Sequence, residues 1–282
     1  MKKSMMIIAA SLMTLMVACN DEEVSQNVES VLNDSIDAME ELSSYSMKVD
    51  STQSMVVEEE SMDIESSIEM DLLLEPLTLF QKTSFDLGDM GMGMDMSLEY
   101  DSYFSEEEGF FMQDPFANEW AKFSNTVMDE MMEEALALSD AQLSPEEQLK
   151  PFKEYISDLS IIEEEDHYVI SLKGEGADMS AFAEQISTMA GEGMDELFED
   201  IWNDMEIHAL EYEIFIDKET YYQTEANVYM EMTMNIEEES MTLEQTSHMI
   251  LSQFNELDDL QIPEEVLENA EEISDEGFLG EF

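Results

Sequence analysis

Arginine is missing from this 282-residue sequence altogether: its nine basic residues are all lysines, set against 71 aspartates and glutamates. The formal charge of −62 gives the attraction that drives binding to nucleic-acid phosphates the wrong sign, so nucleic acid is excluded as a partner. Acidic lipid headgroups are repelled for the same reason. Cysteine occurs once, at Cys19, and a lone cysteine cannot form an internal disulfide. The three histidines, His167, His208 and His248, are scattered, and "IHALE" around His208 lacks the second histidine of a zinc protease. The sequence also lacks a Gly-x-Ser-x-Gly elbow, a phosphate loop and a Cys–His pair. Carboxylate pairs occur everywhere, so none marks a glycosidase. No catalytic residue, metal site or cofactor is assigned, and a protein that is not an enzyme is expected.

What is present begins with "MKKSMMIIAASLMTLMVAC". Two lysines precede an apolar run of 14 residues, Met5 to Ala18. That run is short of the ~20 residues a spanning helix needs, but suits a secretory signal peptide. Its end, "MVAC", resembles the bacterial lipobox, in which the cysteine is acylated and becomes the new N-terminus. Residues 1–18 are therefore expected to be a lipoprotein signal peptide, and 19–26 a lipidated tether. Several acyl chains, palmitate among them, anchor durably where a single chain binds marginally. The expected location is extracytoplasmic, on the outer face of the cell membrane. Removing residues 1–18 leaves 7 lysines against the same 71 acids. Such a body repels itself unless salt screens it, which suggests a halophilic or alkaliphilic habitat.

High charge alone suggests disorder, yet 44% of the residues are hydrophobic and they are periodic. Val28, Val31, Leu32, Ile36, Met39 and Leu42 step by three and four, an amphipathic helix. The period then changes to two. Tyr45, Met47 and Val49 alternate with polar neighbours, and Met55 and Val57 resume that parity. Met62, Ile64, Ile68, Met70, Leu72 and Leu74 alternate with Asp63, Glu65, Ser67, Glu69 and Asp71 until Pro76. Strands are expected next from Leu79 to Leu87 and from Met90 to Tyr100. "EEEGFFMQDPFANEWAKF" reads as a hairpin around an Asp-Pro turn.

Helices are expected at Val127–Leu138, from Ser144 with Pro145 in the first turn, at Met179–Met189, and at Met194–Met205 with Trp202 on its stripe. The helix from Ser144 places Leu149, Phe152, Ile156 and Leu159 on one face. "DHYVISLKGEG" reads as a strand, and three more cover Leu210–Ile216, Val228–Ile236 and about Met241–Phe254. A short helix begins at Pro263, and 274–282 reads as a loose tail. No low-complexity linker divides residues 27–273, so a single α+β domain is expected. Its long strands, each with one apolar face, describe a curved antiparallel sheet, an unclosed half-barrel, with helices packed on its concave face.

The order of these pieces carries a resemblance. The lipobox, "AMEELSSYSM", the acidic and methionine-rich strands, "FMQDPFANEWAKF", "ISDLSIIEEEDHYVISLKGEG", "LEYEIFIDKETYYQTEANVYMEM" and "IPEEVLENAEE" together resemble a family of Gram-positive lipoproteins of unknown function. That family is similar to the LolA/LppX-like half-barrel lipoproteins. The resemblance covers essentially the whole mature chain and implies an unclosed half-barrel holding helices, a hydrophobic cavity, and carriage of lipids or acyl chains. It supplies no catalytic residue, and the extreme acidity departs from typical members.

"MGMGMDMSLEY", residues 90–100, poses the sharpest chemical choice. Thioethers suit Cu(I), and alternate methionines place their sulfurs on one side of a strand. Methionine also recurs at 47, 55, 62, 70, 230, 232 and 234, wherever an apolar strand face needs filling. The array is read as core or cavity lining, for which a flexible thioether chain is well suited. Asp86, Asp89 and Asp95 do not match a calcium loop and read as a solvated turn. Trp120 and Trp202 read as packing residues.

The expected function is a membrane-anchored, monomeric lipoprotein that binds an apolar or lipid-like ligand between sheet and helices. Expected cavity-lining residues are Met47, Met62, Ile64, Met70, Phe85, Met90, Met92, Met94, Met96, Leu98, Met230, Met232, Met234 and Trp202. The rival is a surface-interaction or envelope-maintenance protein with a filled core and no ligand. Anchoring is testable first: Cys19→Ala should release the protein from membranes or leave it unprocessed, and an unchanged mature mass and membrane partition would rule the lipid anchor out.

Overall fold

The computed structural model describes residues 21–57, 60–89, 95–123, 144–175, 182, 205–236 and 239–273. Alternation dominates it. Helix α1 (Asp21–Glu40) is followed by β1 (Ser44–Val57), β2 (Glu60–Leu74), β3 (Leu77–Asp89), β4 (Asp95–Ser105), β5 (Gly109–Gln113) and β6 (Trp120–Phe123). A short helix α2 (Pro145–Leu149) and a 3-10 turn (Lys150–Tyr155) lead to β7 (Ser160–Glu163) and β8 (His167–Gly174). Then come β9 (Met205–Asp217), β10 (Gln223–Ile236), β11 (Glu239–Ser252), α3 (Glu264–Asn269) and β12 (Glu271–Ile273).

All twelve strands join one sheet in the order β12-β6-β5-β4-β3-β2-β1-β11-β10-β9-β8-β7. β7 and β12 lie at opposite ends, so the sheet is unclosed. Its centre is β1, which pairs over its length with β2 on one side and β11 on the other. Ten of the eleven pairings are antiparallel, as expected; β12 lies parallel to β6. The chain is mostly β with few helices among the described residues, which corrects the α+β expectation.

Several elements differ from the sequence reading for local reasons. The helix from Ser144 stops after five residues because Pro151 has no N–H to continue it, and the chain tightens into the 3-10 turn. Ser144 makes no capping bond with its side chain. Helix α1 starts at Asp21, so most of the segment expected as a tether is helical. Met205 opens β9 rather than closing a helix. The edge strands β7 and β12 were not anticipated; three or four residues are too few to show a period. The expected helices at 127–138, 179–189 and 194–204, and the tail from 274, lie outside the described residues, apart from Phe182.

One buried cluster holds most of the core. Val28, Val31, Leu32, Ile36 and Met39 of α1 meet Leu149 and Phe152, and they share the cluster with Tyr45, Met70, Leu72, Ile170, Leu172, Ile214 and Ile216 of the sheet. Phe152 stands edge-on to both Phe182 and Tyr212 at 5.1 and 5.0 Å. Burial in this apolar setting pushes the Tyr212 hydroxyl up to about 12. A second, smaller cluster lies on the opposite face, where Ile262 and Val266 cover Phe111 beside Tyr103 and Trp120.

The β9–β10 turn is held by one carboxylate. Asp217 Oδ1 accepts hydrogen bonds from the N–H groups of Glu219 and Thr220 and from the Thr220 hydroxyl, at 2.8 to 3.0 Å. The Thr220 N–H is the chief reason its carboxyl is held below the usual range. Lys218 fastens the same turn to the β7–β8 turn by donating to Glu163 Oε1 at 2.9 Å and to the Glu164 carbonyl. A depressed carboxylate stabilises at neutral pH, and its contribution is lost as pH falls through the lowered pKa. Asp217→Ala should therefore cost about 1 kcal/mol at pH 7, with the gap from wild type closing on acidification in urea melts; a gap that widens in acid would contradict this role.

Candidate functional site: a neutral core face and a charged outer face

Strand alternation sorts the side chains into two chemically distinct faces. On β1 the core-facing positions are Tyr45, Met47, Val49, Ser51, Gln53 and Met55. The register carries that face to the even residues of β2 and the odd residues of β3, and then to Met96, Leu98, Tyr100, Ser102 and Phe104 of β4. On the other side it continues through the odd residues of β11, the even residues of β10, and Ile207, Leu210, Tyr212, Ile214 and Ile216 of β9. Over Tyr45–Met55, Met62–Leu74, Leu77–Phe85, Met96–Phe104, Ile207–Ile216, Ala226–Met234 and Met241–Leu251, no core-facing position is charged. The acids and lysines within these spans occupy the outer face.

The expected lining residues fall into three groups. Met70 and Met232 belong to the buried cluster, and Met47 and Met230 pack against it. Ile64, Phe85, Leu98 and Met234 are half-buried on the core face outside that cluster, while Met62 and Met96 are 36% and 42% exposed. Cys19, Met90, Met92, Met94 and Trp202 lie outside the described residues. The described part of β4 does place Met96, Leu98 and Tyr100 on one side, as the alternation predicts.

A cleft of about 630 Å³ crosses β11, β1, β2, β3 and β4. Alternation directs Asp50, Thr52, Glu65, Ser67, Ser84, Asp86, Ser97, Glu99, Thr246 and His248 into it, so it belongs to the outer face and is polar. Ser51, Ser66, Phe85 and Leu98 also border it, although alternation turns their side chains to the other face. Asp50 accepts a 2.6 Å bond from the Ser67 hydroxyl, which with nearby Lys48 holds its carboxyl below the usual range. Lys82 meets Glu99 at 3.0 Å, and His248 meets Glu225 at 3.0 Å. Asp86 accepts from the N–H of Gly88 at 3.0 Å, and Gly88 takes a φ of +57° that glycine adopts freely. That geometry is a turn. Among the described residues no three His, Cys, Asp or Glu side chains are grouped to hold a metal.

The sequence reading missed a polar stripe within the core face. Ser51 and Ser247 join through their hydroxyls at 2.9 Å, Gln245 donates to Ser247 at 3.1 Å, and Gln81 donates to Thr83 at 2.8 Å. The signal was present: Ser51 and Gln53 interrupt the apolar parity between Val49 and Met55.

A long, unclosed and mainly antiparallel sheet with one uncharged face defines the architectural class. The chain belongs to a family described as a family of unknown function (DUF6612), whose model matches residues 27–271. No curated protein matches. Among solved structures the chain is similar to LprF from Mycobacterium bovis, at 10% identity and a TM-score of 0.36 over 84% of this chain and 96% of that one. It is also similar to a LolA superfamily protein from Nitrosomonas europaea, at 7% identity and 0.19 over 85% and 96%. A putative outer membrane lipoprotein-sorting protein domain from Vibrio parahaemolyticus matches at 10% identity and 0.20 over 88% and 97%.

Crowding on the outer face has a measurable consequence. Glu65 of β2 sits directly opposite Asp86 of β3, and Glu231 opposite Glu244. Like charges facing across strands destabilise by roughly 0.2–1 kcal/mol. Glu65→Lys should therefore raise the melting temperature by about 1–3 °C in dilute buffer. The gain should fade in molar salt, where the screening length falls to about 3 Å; a melting temperature for both proteins that is flat in salt would show that repulsion is not limiting.

Proposed function

We propose that this protein is a non-enzymatic, membrane-anchored extracytoplasmic lipoprotein that binds an apolar or lipid-like molecule on the core face of its sheet. One observation carries the reading. Over the spans given above, and along β8, the core face is uncharged, yet its apolar surface runs past the buried cluster to Met62, Ile64, Met96 and Leu98, where it is only half covered. A stable monomer gains by burying such a surface. A ligand that covers about 300 Å² of it would gain roughly 7 kcal/mol before the costs of association. The resemblance to LolA/LppX-like lipoproteins in the order of sequence elements supports the same reading, as does the lipobox ending in Cys19.

A filled-core surface protein is the alternative, favoured by one observation: the 630 Å³ cleft opens on the polar outer face. Two measurements separate the readings. Solvent extraction of the purified protein followed by mass spectrometry should yield a bound apolar molecule. Met62→Asp with Met96→Asp, at positions exposed enough to leave the fold intact, should lower uptake of an apolar fluorescent dye about tenfold. An empty extract from a protein that also ignores the dye would establish the filled-core alternative.

A further inference from the structure

We propose that the ligand of the core face is an uncharged acyl ester carrying free hydroxyls, of the diacylglycerol class, recognised in its middle by the polar stripe across β11, β1 and β2. This rests on the apolar-ligand reading and sharpens it. Ser51 lies opposite Ser247 on one side and Ser66 on the other, while Gln53 lies opposite Gln245. All five are half-buried on the core face. Apolar side chains flank them along the strands, Val49 and Met249 above, Met55 and Leu243 below.

The hydrogen-bonding capacity of the stripe is not spent. A glutamine amide offers two donors and a carbonyl that accepts twice, and a serine hydroxyl both donates and accepts. Gln245 uses one donor on Ser247, while the Ser51 hydroxyl shares a bond with Ser247 and lies 3.3 Å from the Thr246 carbonyl, to which it can donate. Among the described residues, the Gln53 amide and the Ser66 hydroxyl have no side-chain partner. Among the described residues only Ser35 holds a buried side-chain polar atom without a partner, so water reaches Gln53 and Ser66, and a ligand that covers them must replace the hydrogen bonds of that water. Ester carbonyls can accept from the amide N–H groups, and a free hydroxyl can bond the glutamine and serine oxygens. Apolar surface on both sides of the stripe matches a ligand whose polar middle is flanked by hydrocarbon.

Charge decides against the common alternatives. A phosphate or a fatty-acid carboxylate at this depth would need a cation. The lysines of the adjoining strands, Lys48 and Lys82, point to the outer face and are engaged with Asp50, Glu69 and Glu99. A cationic head beside the stripe would likewise find no counter-charge, because the neighbouring carboxylates Asp50, Glu65 and Glu244 are on the outer face. Hydrogen bonding without charge is what this face offers.

Equilibrium binding of the purified full chain to pyrene-labelled diacylglycerol, phosphatidylglycerol and fatty acid with matched chains tests the assignment. The diacylglycerol should bind about tenfold tighter than either anion. Gln53→Leu with Gln245→Leu should abolish that preference while uptake of an uncharged hydrocarbon dye is retained. Equal or tighter binding of either anionic probe by the wild type would overturn the proposal, as would unchanged diacylglycerol affinity in the folded variant. Should the variant not fold, the selectivity of the wild type decides alone. Dye uptake without diacylglycerol binding would sink this inference only, whereas failure of every probe would sink the apolar-ligand reading beneath it.

Discussion

Strand register is the constraint on which the rest of this structure depends. Neighbouring residues of a strand point to opposite faces, so a slip of one residue would exchange the faces entirely. Here the exchange would carry Asp50, Glu65, Asp86 and Glu99 onto the core face and leave Tyr45, Met70 and Leu72 in water. Burying even one unpaired carboxylate is strongly unfavourable. Pairing is accordingly continuous for twelve residues between β1 and β11 and for fourteen between β1 and β2. The shifts that do occur lie between Asp86 and Asp89, between Glu231 and Met232, and between Gln223 and Glu225 at the start of β10. The second adjusts parity at β9, where His208 is left bonding Thr233 on the outer face at 2.8 Å.

The same alternation explains which parts of the fold were legible in the sequence. β1, β2, β3, β9, β10 and β11 each run for thirteen residues or more with alternate apolar positions, long enough for the period to identify both element and face. Helix α1 shows the other period and buries the residues that its three-and-four spacing selects. The pairing of β1 with β11, nearly two hundred residues apart, leaves no local trace, and neither does the parallel return of β12 onto β6. That return depends on Ile262 and Val266 settling over Phe111, a contact between segments that carry no shared pattern. The candidate site was readable in outline only. Met47, Met70, Met230 and Met232 were placed on the correct face, but alternation does not distinguish a filled core from a lined cavity. Ser51 and Gln53 fell on the apolar parity and were passed over, since two polar residues in a strand more often mark a wet edge than a feature of the interior.

Methionine is well matched to such a face. A leucine or isoleucine row sets a rigid relief, whereas unbranched thioether chains adjust to an irregular partner at low cost in strain. The buried cluster around α1 uses Leu, Ile, Val and aromatic residues with few methionines, as a fixed core requires. The half-covered end of the face reverses that preference, with Met62, Met96 and Met234 beside Ile64 and Leu98. Side-chain stiffness thus changes along one surface, from the part that specifies the fold to the part proposed to accept a ligand.

Acidity and lipid handling look opposed until the two faces are considered apart. A surface rich in carboxylates is repelled by an anionic bilayer, so the outer face alone would keep the body away from membrane lipids. The neutral core face suffers no such repulsion from an uncharged lipid. For the proposed ligand, charge would act as a filter against anions, which meet the repulsive field of the outer face before they reach the apolar one. An anchor at Cys19, as proposed, supplies the nearness that electrostatics denies. Helix α1 begins at Asp21, two residues from that cysteine, and its apolar side belongs to the main core. Anchoring would therefore act on the core directly through a helix rather than through a slack linker, holding the neutral face within reach of the membrane that the outer face avoids.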